Sequence, residues 1–300
     1  MLSNFNLNTI LVAVDFSPAS KNAFQYAVRL AEPFGARIVL LHAYSAGELD
    51  PFVPISMQQA LIDAQETVAM DYFQSLSREV PAHILDKIDL EFKILMGPAA
   101  EQVLYLSREI EPDLIVMGMR GGNIFAQKIL GTTATNVIQR ADFPVVVVPE
   151  NFGYKEIKKI GYATNFESED IQAISQIQAF ADVIDAQIHC IHIRQNGKLA
   201  DEYKLDILKS AYQYEFPMHH LDFETLAYED VLKGLNQYVR TEDLDLLVML
   251  THKRGLFSQL FYRSYTKEMA LQACIPLWVF QKERQIVESP SPNGRSKSSS

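Results

Sequence analysis

The chain has 300 residues, about twice an ordinary domain, and its 48% hydrophobic and 21% charged residues exclude a disordered or fibrous protein. A formal charge of −10 argues against general nucleic-acid binding, which needs basic surface, but not against one nucleotide whose phosphates are held by backbone amides. The longest apolar runs, such as Pro144 to Pro149, are only strand-length; Met1 to Asn8 has no basic stretch followed by a hydrophobic one; and the two cysteines, Cys190 and Cys274, read as small buried hydrophobes, so the expected compartment is the cytoplasm.

Strand and helix patterns alternate along the chain. Ile10 to Val14 is a short apolar run followed by Asp15-Phe16-Ser17-Pro18, in which Ser17 suits a helix N-cap and Pro18 its first turn. Ala23, Ala27, Leu30 and Ala31 recur at helical spacing until Gly35 closes the helix, and Arg37 to Ala43 reads as a second buried strand. Gln58 to Glu79 predicts a longer helix, and Ile88, Leu90, Phe92 and Ile94 alternate as a strand does. Pro98 opens a helix ending near Ile110; a strand at Asp113 to Met117, a loop, a helix and a strand at Val145 to Val148 complete the series. This order predicts a five-stranded parallel sheet covered by helices on both faces.

The same order recurs after Lys158. A shift of 150 residues lays Asp15-Phe16 on Asn165-Phe166 and Leu41-His42-Ala43 on Ile191-His192-Ile193. A shift of 132 lays Asp113 to Met117 on Asp245 to Met249, and Phe143-Pro144-Val145 on Ile275-Pro276-Leu277. Two offsets are what a duplication with a shortened middle gives, the deletion falling between the second strand and the last third, where surface segments shrink cheaply. The expected organisation is a first domain over 1–150, a second over 151–286 that begins with a short linker, and a disordered, serine-rich tail over 287–300.

In the first copy the strand ending at Met117 runs into Gly118-Met119-Arg120-Gly121-Gly122, and nine residues separate Gly121 from Gly131-Thr132-Thr133. This G-x2-G-x9-G-T pattern lies between a strand and a helix. Glycines let backbone approach an anion closely, and the unpaired N–H groups and dipole at a helix start favour phosphate. The threonine hydroxyls add hydrogen bonds and are compatible with a magnesium ion shared with the phosphates. Turn glycines in a crossover loop are the plainer alternative. Asp15 ends the first strand and Ala43 the second, at the carboxyl edge where parallel sheets bind ligands. Asp15 fits either an acceptor for an adenine amino group or ribose hydroxyl, or a carboxylate serving the helix N-terminus.

Taken together, Val14-Asp15-Phe16-Ser17, Leu41-His42-Ala43, Gly97-Pro98, the glycine loop and the Pro144-to-Val148 strand resemble the universal stress protein family. The resemblance spans about residues 7 to 286, strongly in the first half and weakly in the second, and the duplication is similar to the tandem members of that family. It implies two Rossmann-like domains of the adenine nucleotide α-hydrolase type, paired through their last strands as an internal pseudo-dimer; association of whole chains is compatible with that. It also implies ATP or ADP binding in a stress-response regulatory protein. By position, Asp15 and the backbone at Ala43 would hold the adenine, and Met117 and Gly118 would lie by the ribose. Arg120, Gly121, Gly131, Thr132 and Thr133 complete the nucleotide set, the last four against the phosphates.

The second copy departs at each point. Asp15 is matched by Asn165, and Gly118, Gly121 and Gly131 by Leu250, Lys253 and Arg263, with Ser264 the one survivor. No nucleotide bound in the family's manner is expected there; Lys253, Arg254 and Arg263 read as solvated surface, and Phe257, Phe261, Tyr262 and Tyr265 as packing. The histidines form no metal set: His42 and His192 are repeat equivalents on strands, and His219-His220 is poorly placed for chelation. No residue stands out as a general base beside the loop, so the sequence does not support turnover. Two alternatives to ATP-dependent regulation stay open: an interaction scaffold without nucleotide, and a slow ATPase or self-phosphorylating protein.

Overall fold

The computed structural model describes residues 7–44, 54–119, 132–164, 166, 170–194, 200–215, 221–251 and 275–281. Outside the described residues lie Arg120, Gly121 and Gly131 of the first loop, Asn165, the basic and aromatic residues expected between Lys253 and Tyr265, His219-His220, Cys274 and the tail. The first half runs β1 (Thr9–Val14), α1 (Pro18–Ala31), β2 (Arg37–Tyr44), α2 (Ile55–Arg78), α3 (Ala82–Leu85), β3 (Asp89–Met96), α4 (Ala99–Ile110), β4 (Leu114–Met119), α5 (Thr132–Arg140) and β5 (Val145–Pro149). The second runs β6 (Lys159–Ala163), α6 (Asp170–Ile184), β7 (Gln187–Arg194), α7 (Ala200–Glu215), β8 (Asp222–Ala227), α8 (Val231–Thr241), β9 (Leu246–Thr251) and β10 (Leu277–Gln281). Only α3 has no counterpart in the predicted elements, because four residues after Pro81 are too few to show a helical period.

All ten strands join one sheet in the order β3-β2-β1-β4-β5-β10-β9-β6-β7-β8. Pairing is parallel within each half, and the halves meet where β5 and β10 run antiparallel. There Val146 lies opposite Trp278, its own repeat counterpart 132 residues on, with Val145 and Val147 opposite Val279 and Leu277. The pseudo-two-fold axis therefore passes through the Val146–Trp278 pair, and each half covers the other's last strand, which would otherwise be an open, all-apolar edge.

The duplication is visible in local geometry as well as in strand order. Three non-helical turns fall at equivalent places with left-handed backbone: Phe16 (φ 64°) and Phe166 (φ 58°), Gly35 (61°) and Asp185 (55°), Glu111 (45°) and Asp243 (51°). Asp113 Oδ2 accepts from the N–H groups of Asn8 and Thr9 at 2.7 and 2.9 Å, and Asp245 Oδ2 accepts from those of Lys158 and Lys159 at 2.7 and 2.8 Å. The register also locates the shortening. Thr9 opposite Arg37 becomes Lys159 opposite Gln187, both 150 on, whereas Glu91 opposite Val39 becomes Asp222 opposite His189, so the offset has dropped to 131 at the third strand. The intervening helix falls from 24 residues in α2 to 16 in α7.

Helices cover both faces. Residues of α1, α2, α6 and α7 pack on one side of the sheet and those of α4, α5 and α8 on the other, and both cores run unbroken through the two halves. Across the junction Phe180 of α6 meets Trp278 edge-on at 5.0 Å and stacks with Phe34 at 5.9 Å, and Trp278 stacks on Phe280 at 4.9 Å. The linker after β5 is part of this packing. Phe152 is buried against Tyr26, Tyr154 lies on the same ring, and Asn22 Nδ2 donates to the carbonyls of Pro149 and Phe152 at 2.7 Å each.

The second half carries a buried polar pair at positions that are apolar in the first. His189 Nδ1 and the Tyr238 hydroxyl are 3.1 Å apart, on positions where the first half has Val39 and Leu106. Burial, with Glu224 next, pushes the Tyr238 phenol up to about 12.

Trp278→Ala is expected to cost about 3–5 kcal/mol in urea denaturation followed by circular dichroism, since it empties the junction core. Tyr238→Phe alone should cost about 1–3 kcal/mol by leaving His189 without its partner. The double change His189→Val, Tyr238→Leu should cost less than the sum of its singles, and a double-mutant cycle in the same denaturant measures that coupling.

Candidate functional site

The connection from β1 to β2 moves one way across the sheet, and that from β3 to β4 returns past β1 to the other side, so the chain reverses between β1 and β4. Ligands of such sheets bind outside the carboxyl ends of the strands at this reversal. The ladders shape the place. The β1–β2 pairing ends with Val14 opposite His42 and the β1–β4 pairing with Ala13 opposite Met117, whereas β2 continues to Tyr44 and β4 to Met119. The shorter central strand leaves a notch floored by the turn after β1 and walled by Ala43–Tyr44 on one side and Gly118–Met119 on the other.

The floor is a tightly bonded turn. Asp15 Oδ1 accepts from the Ser17 N–H at 3.1 Å and from the Ser17 hydroxyl at 2.5 Å, and Ser17 in turn caps α1 by accepting from the Ser20 N–H at 3.2 Å. Asp15 thus organises the helix N-terminus, as one of its two sequence readings held, and its residue is exposed at the edge. Phe16 takes its left-handed conformation over His42, ring to ring at 4.0 Å, and His42 Nδ1 donates to the Val14 carbonyl at 3.0 Å. His192 repeats this with Thr164 at 3.0 Å and Phe166 at 4.2 Å, so both strand histidines are structural pins for the end of the first strand.

Tyr72 of α2, which sequence reasoning did not single out, closes over the turn. Its ring meets Phe16 at 4.3 Å. Burial raises the Tyr72 phenol, opposed by the Lys21 ammonium and reinforced by the Asp15 carboxylate. Lys21 is paired with Glu79 at 2.7 Å, and that hydrogen bond holds its ammonium above the ordinary range.

Of the predicted set, Asp15, Ala43, Met117, Gly118, Thr132 and Thr133 lie within the described residues. Asp15, Ala43 and Gly118 border the notch. Met117 is buried, with its side chain in the core under α4 and α5, so only its backbone borders the site. Thr132 opens α5 and Thr133 is half-buried in its first turn. Gly118 has a reason to be glycine besides ligand approach: a Cβ there would stand 2.4 Å from the carbonyl carbon of Ala19 and 2.6 Å from the Ser20 nitrogen, because the first turn of α1 rests directly on β4.

The second half is built differently at the same place. Leu250, at the position of Gly118, packs against the core on the α6 side. Asp170 is buried, and its carboxylate accepts from the hydroxyls of Tyr162 and Thr164. Among the described residues no group of three His, Cys, Asp or Glu side chains is placed to hold a metal, and no helix is long and apolar enough to cross a membrane. Cys190 is a buried thiol without a disulfide, its pKa pushed well above the usual range by burial.

The model of the universal stress protein family matches residues 6–149. A universal stress protein of Thermus aquaticus is 32% identical over 146 residues, which are 47% of this chain and 97% of that protein. The stress response protein NhaX of Bacillus subtilis is 26% identical over 164 residues, covering 48% of this chain and 99% of that one. In three dimensions the likeness extends to both halves: a universal stress protein of Archaeoglobus fulgidus superposes with a TM-score of 0.72 over 92% of this chain and 99% of its own, at 15% identity. The turn after β1, the glycine at the end of β4, the reversal between these strands and the near-complete overlap with the Thermus aquaticus protein carry one conclusion: this chain belongs to the universal stress protein family.

Proposed function

We propose that the chain is a stress-response regulatory protein that binds one ATP in its first half, over residues 1–150, while the second half, 151–286, takes none in that manner and serves as a structural or partner-binding counterpart. The observation that carries this is the notch at the reversal, where β1 stops short between β2 and β4 and the sequence continues from Gly118 into the glycine loop. In this reading the exposed Asp15 carboxylate and the Ala43 backbone receive the adenine, and Met117 and Gly118 line the ribose. Arg120, Gly121, Gly131, Thr132 and Thr133 hold the phosphates, with room for a shared Mg2+. The amides at the start of α5 supply positive potential without net basic charge, which suits a chain of formal charge −10.

In this reading ATP binds and orders the site without being turned over. The second half supports the division of labour. Its Leu250 carries a side chain where the first half has the bare backbone of Gly118, and its buried Asp170 is bonded to Tyr162 and Thr164, which suits a structural or partner-binding role better than a second nucleotide site.

Freshly purified protein, denatured and analysed by mass spectrometry, should release about one ATP or ADP per chain, or titrate with Mg-ATP to that stoichiometry if it is purified empty. Gly131→Val should remove this binding without lowering the melting temperature; retention of wild-type affinity would refute the site. Gly118→Leu, which copies the second half, should both cost about 1–3 kcal/mol of stability and weaken Mg-ATP binding, because the side chain drives α1 off β4. Calorimetry on the same sample reads both effects.

A further inference from the structure

Neither the glycine loop nor the strand ends single out Ser20, yet the contacts of the site converge on it. It is 3% exposed. Its Oγ accepts from the Asp15 N–H at 3.2 Å and donates to the Ser17 carbonyl at 3.0 Å, while its own N–H donates to the Ser17 Oγ at 3.2 Å. The Tyr72 ring packs on Phe16 of the same turn at 4.3 Å. The peptide nitrogen of Ser20 also forms part of the backbone on which Gly118 rests. This residue thereby joins the turn that presents Asp15 to the N-terminus of α1 where that helix seats on β4.

The second half shows the consequence of changing this residue with its neighbours. Asp15, Ser20 and Gly118 have Asn165, Asp170 and Leu250 as counterparts. With a carboxylate in the serine's place, the side chain is held by Tyr162 and Thr164 of the strand side. The helix of the second half is thus tied directly to its first strand through this side chain.

We propose that Ser20 is a positioning residue of the first-half nucleotide site: it fixes the Asp15 turn and the seat of α1 on Gly118, and so sets where the Asp15 carboxylate meets the bound base. The proposal rests on the ATP-binding reading given above. Removing the hydroxyl leaves the Asp15 N–H without its acceptor and loosens the turn, whereas threonine retains both the donor and the acceptor.

The test is calorimetric titration of the full chain with Mg-ATP, alongside its melting temperature, for Ser20→Ala and Ser20→Thr. Ser20→Ala is expected to weaken binding about tenfold at a temperature where it is fully folded, and Ser20→Thr to stay within about threefold of the parent. A merely structural serine would lower the melting temperature without moving the Kd of the folded protein. Should the alanine variant not fold, Ser20→Cys carries the same expectation, since it keeps the volume but hydrogen-bonds weakly. A parent chain that binds Mg-ATP together with a Ser20→Ala or Ser20→Cys variant of unchanged Kd overturns the positioning role alone. A parent chain that binds no Mg-ATP overturns the nucleotide reading, and this role with it.

Discussion

The antiparallel ladder between β5 and β10 is the contact on which the rest of the molecule is arranged. Both strands are buried and apolar, Val145 to Val148 on one side and Leu277 to Phe280 on the other, and neither could end a sheet in water without offering a bare edge to other chains. Because Val146 faces its own counterpart Trp278, one local pairing fixes the relation of two complete domains. It also makes both helical layers continuous, so that Phe34 from the first half and Phe180 from the second pack in one core with Trp278. The linker, with Phe152 buried and Tyr154 also on the Tyr26 ring, secures the same junction from the chain's own crossing point.

Within that frame the two halves have diverged in a patterned way. Residues that hold the strand-to-helix geometry are kept: the Asp113 and Asp245 pins, the His42 and His192 pins with their phenylalanines, and the three paired left-handed turns. Residues around the first strand's carboxyl end are changed as a set. The bare backbone of Gly118 allows α1 to rest on β4, whereas the second half has Leu250 at that position and a buried Asp170 held by Tyr162 and Thr164. Further from the edge, His189 with Tyr238 replaces Val39 with Leu106, so the second half also has a more polar interior. The two halves thus share the frame and the short first strand, and differ in the side chains set around its carboxyl end.

Much of this was legible in the residues. The capping role of Ser17 with Pro18, the strand-helix order and the two offsets of the repeat all follow from local rules that a linear reading can apply. The structural role of the strand histidines was legible from their equivalence. Less accessible were α3, which is too short to show a period, and the roles of Phe16, Ser20 and Tyr72. The Ser20 backbone lies on Gly118 only because β4, some hundred positions away, lies beside β1, and Tyr72 reaches Phe16 from a helix whose period shows its buried side but not what that side meets. Gly118 was read as making room for a ligand; the fold shows that it also makes room for α1.

The sequence alone determined the periods of its elements, their order, their duplication, and the phosphate-type spacing from Gly118 to Thr133, since each depends on residues near one another in the chain. Tertiary structure decided which strand ends stop short to form the notch, that Val146 and Trp278 share the pseudo-two-fold axis, and that Ser20 stands between Asp15 and Gly118. Those facts are contacts between distant segments, and they are set by the register of a ten-stranded sheet and the volume between its layers, neither of which any local pattern of residues encodes.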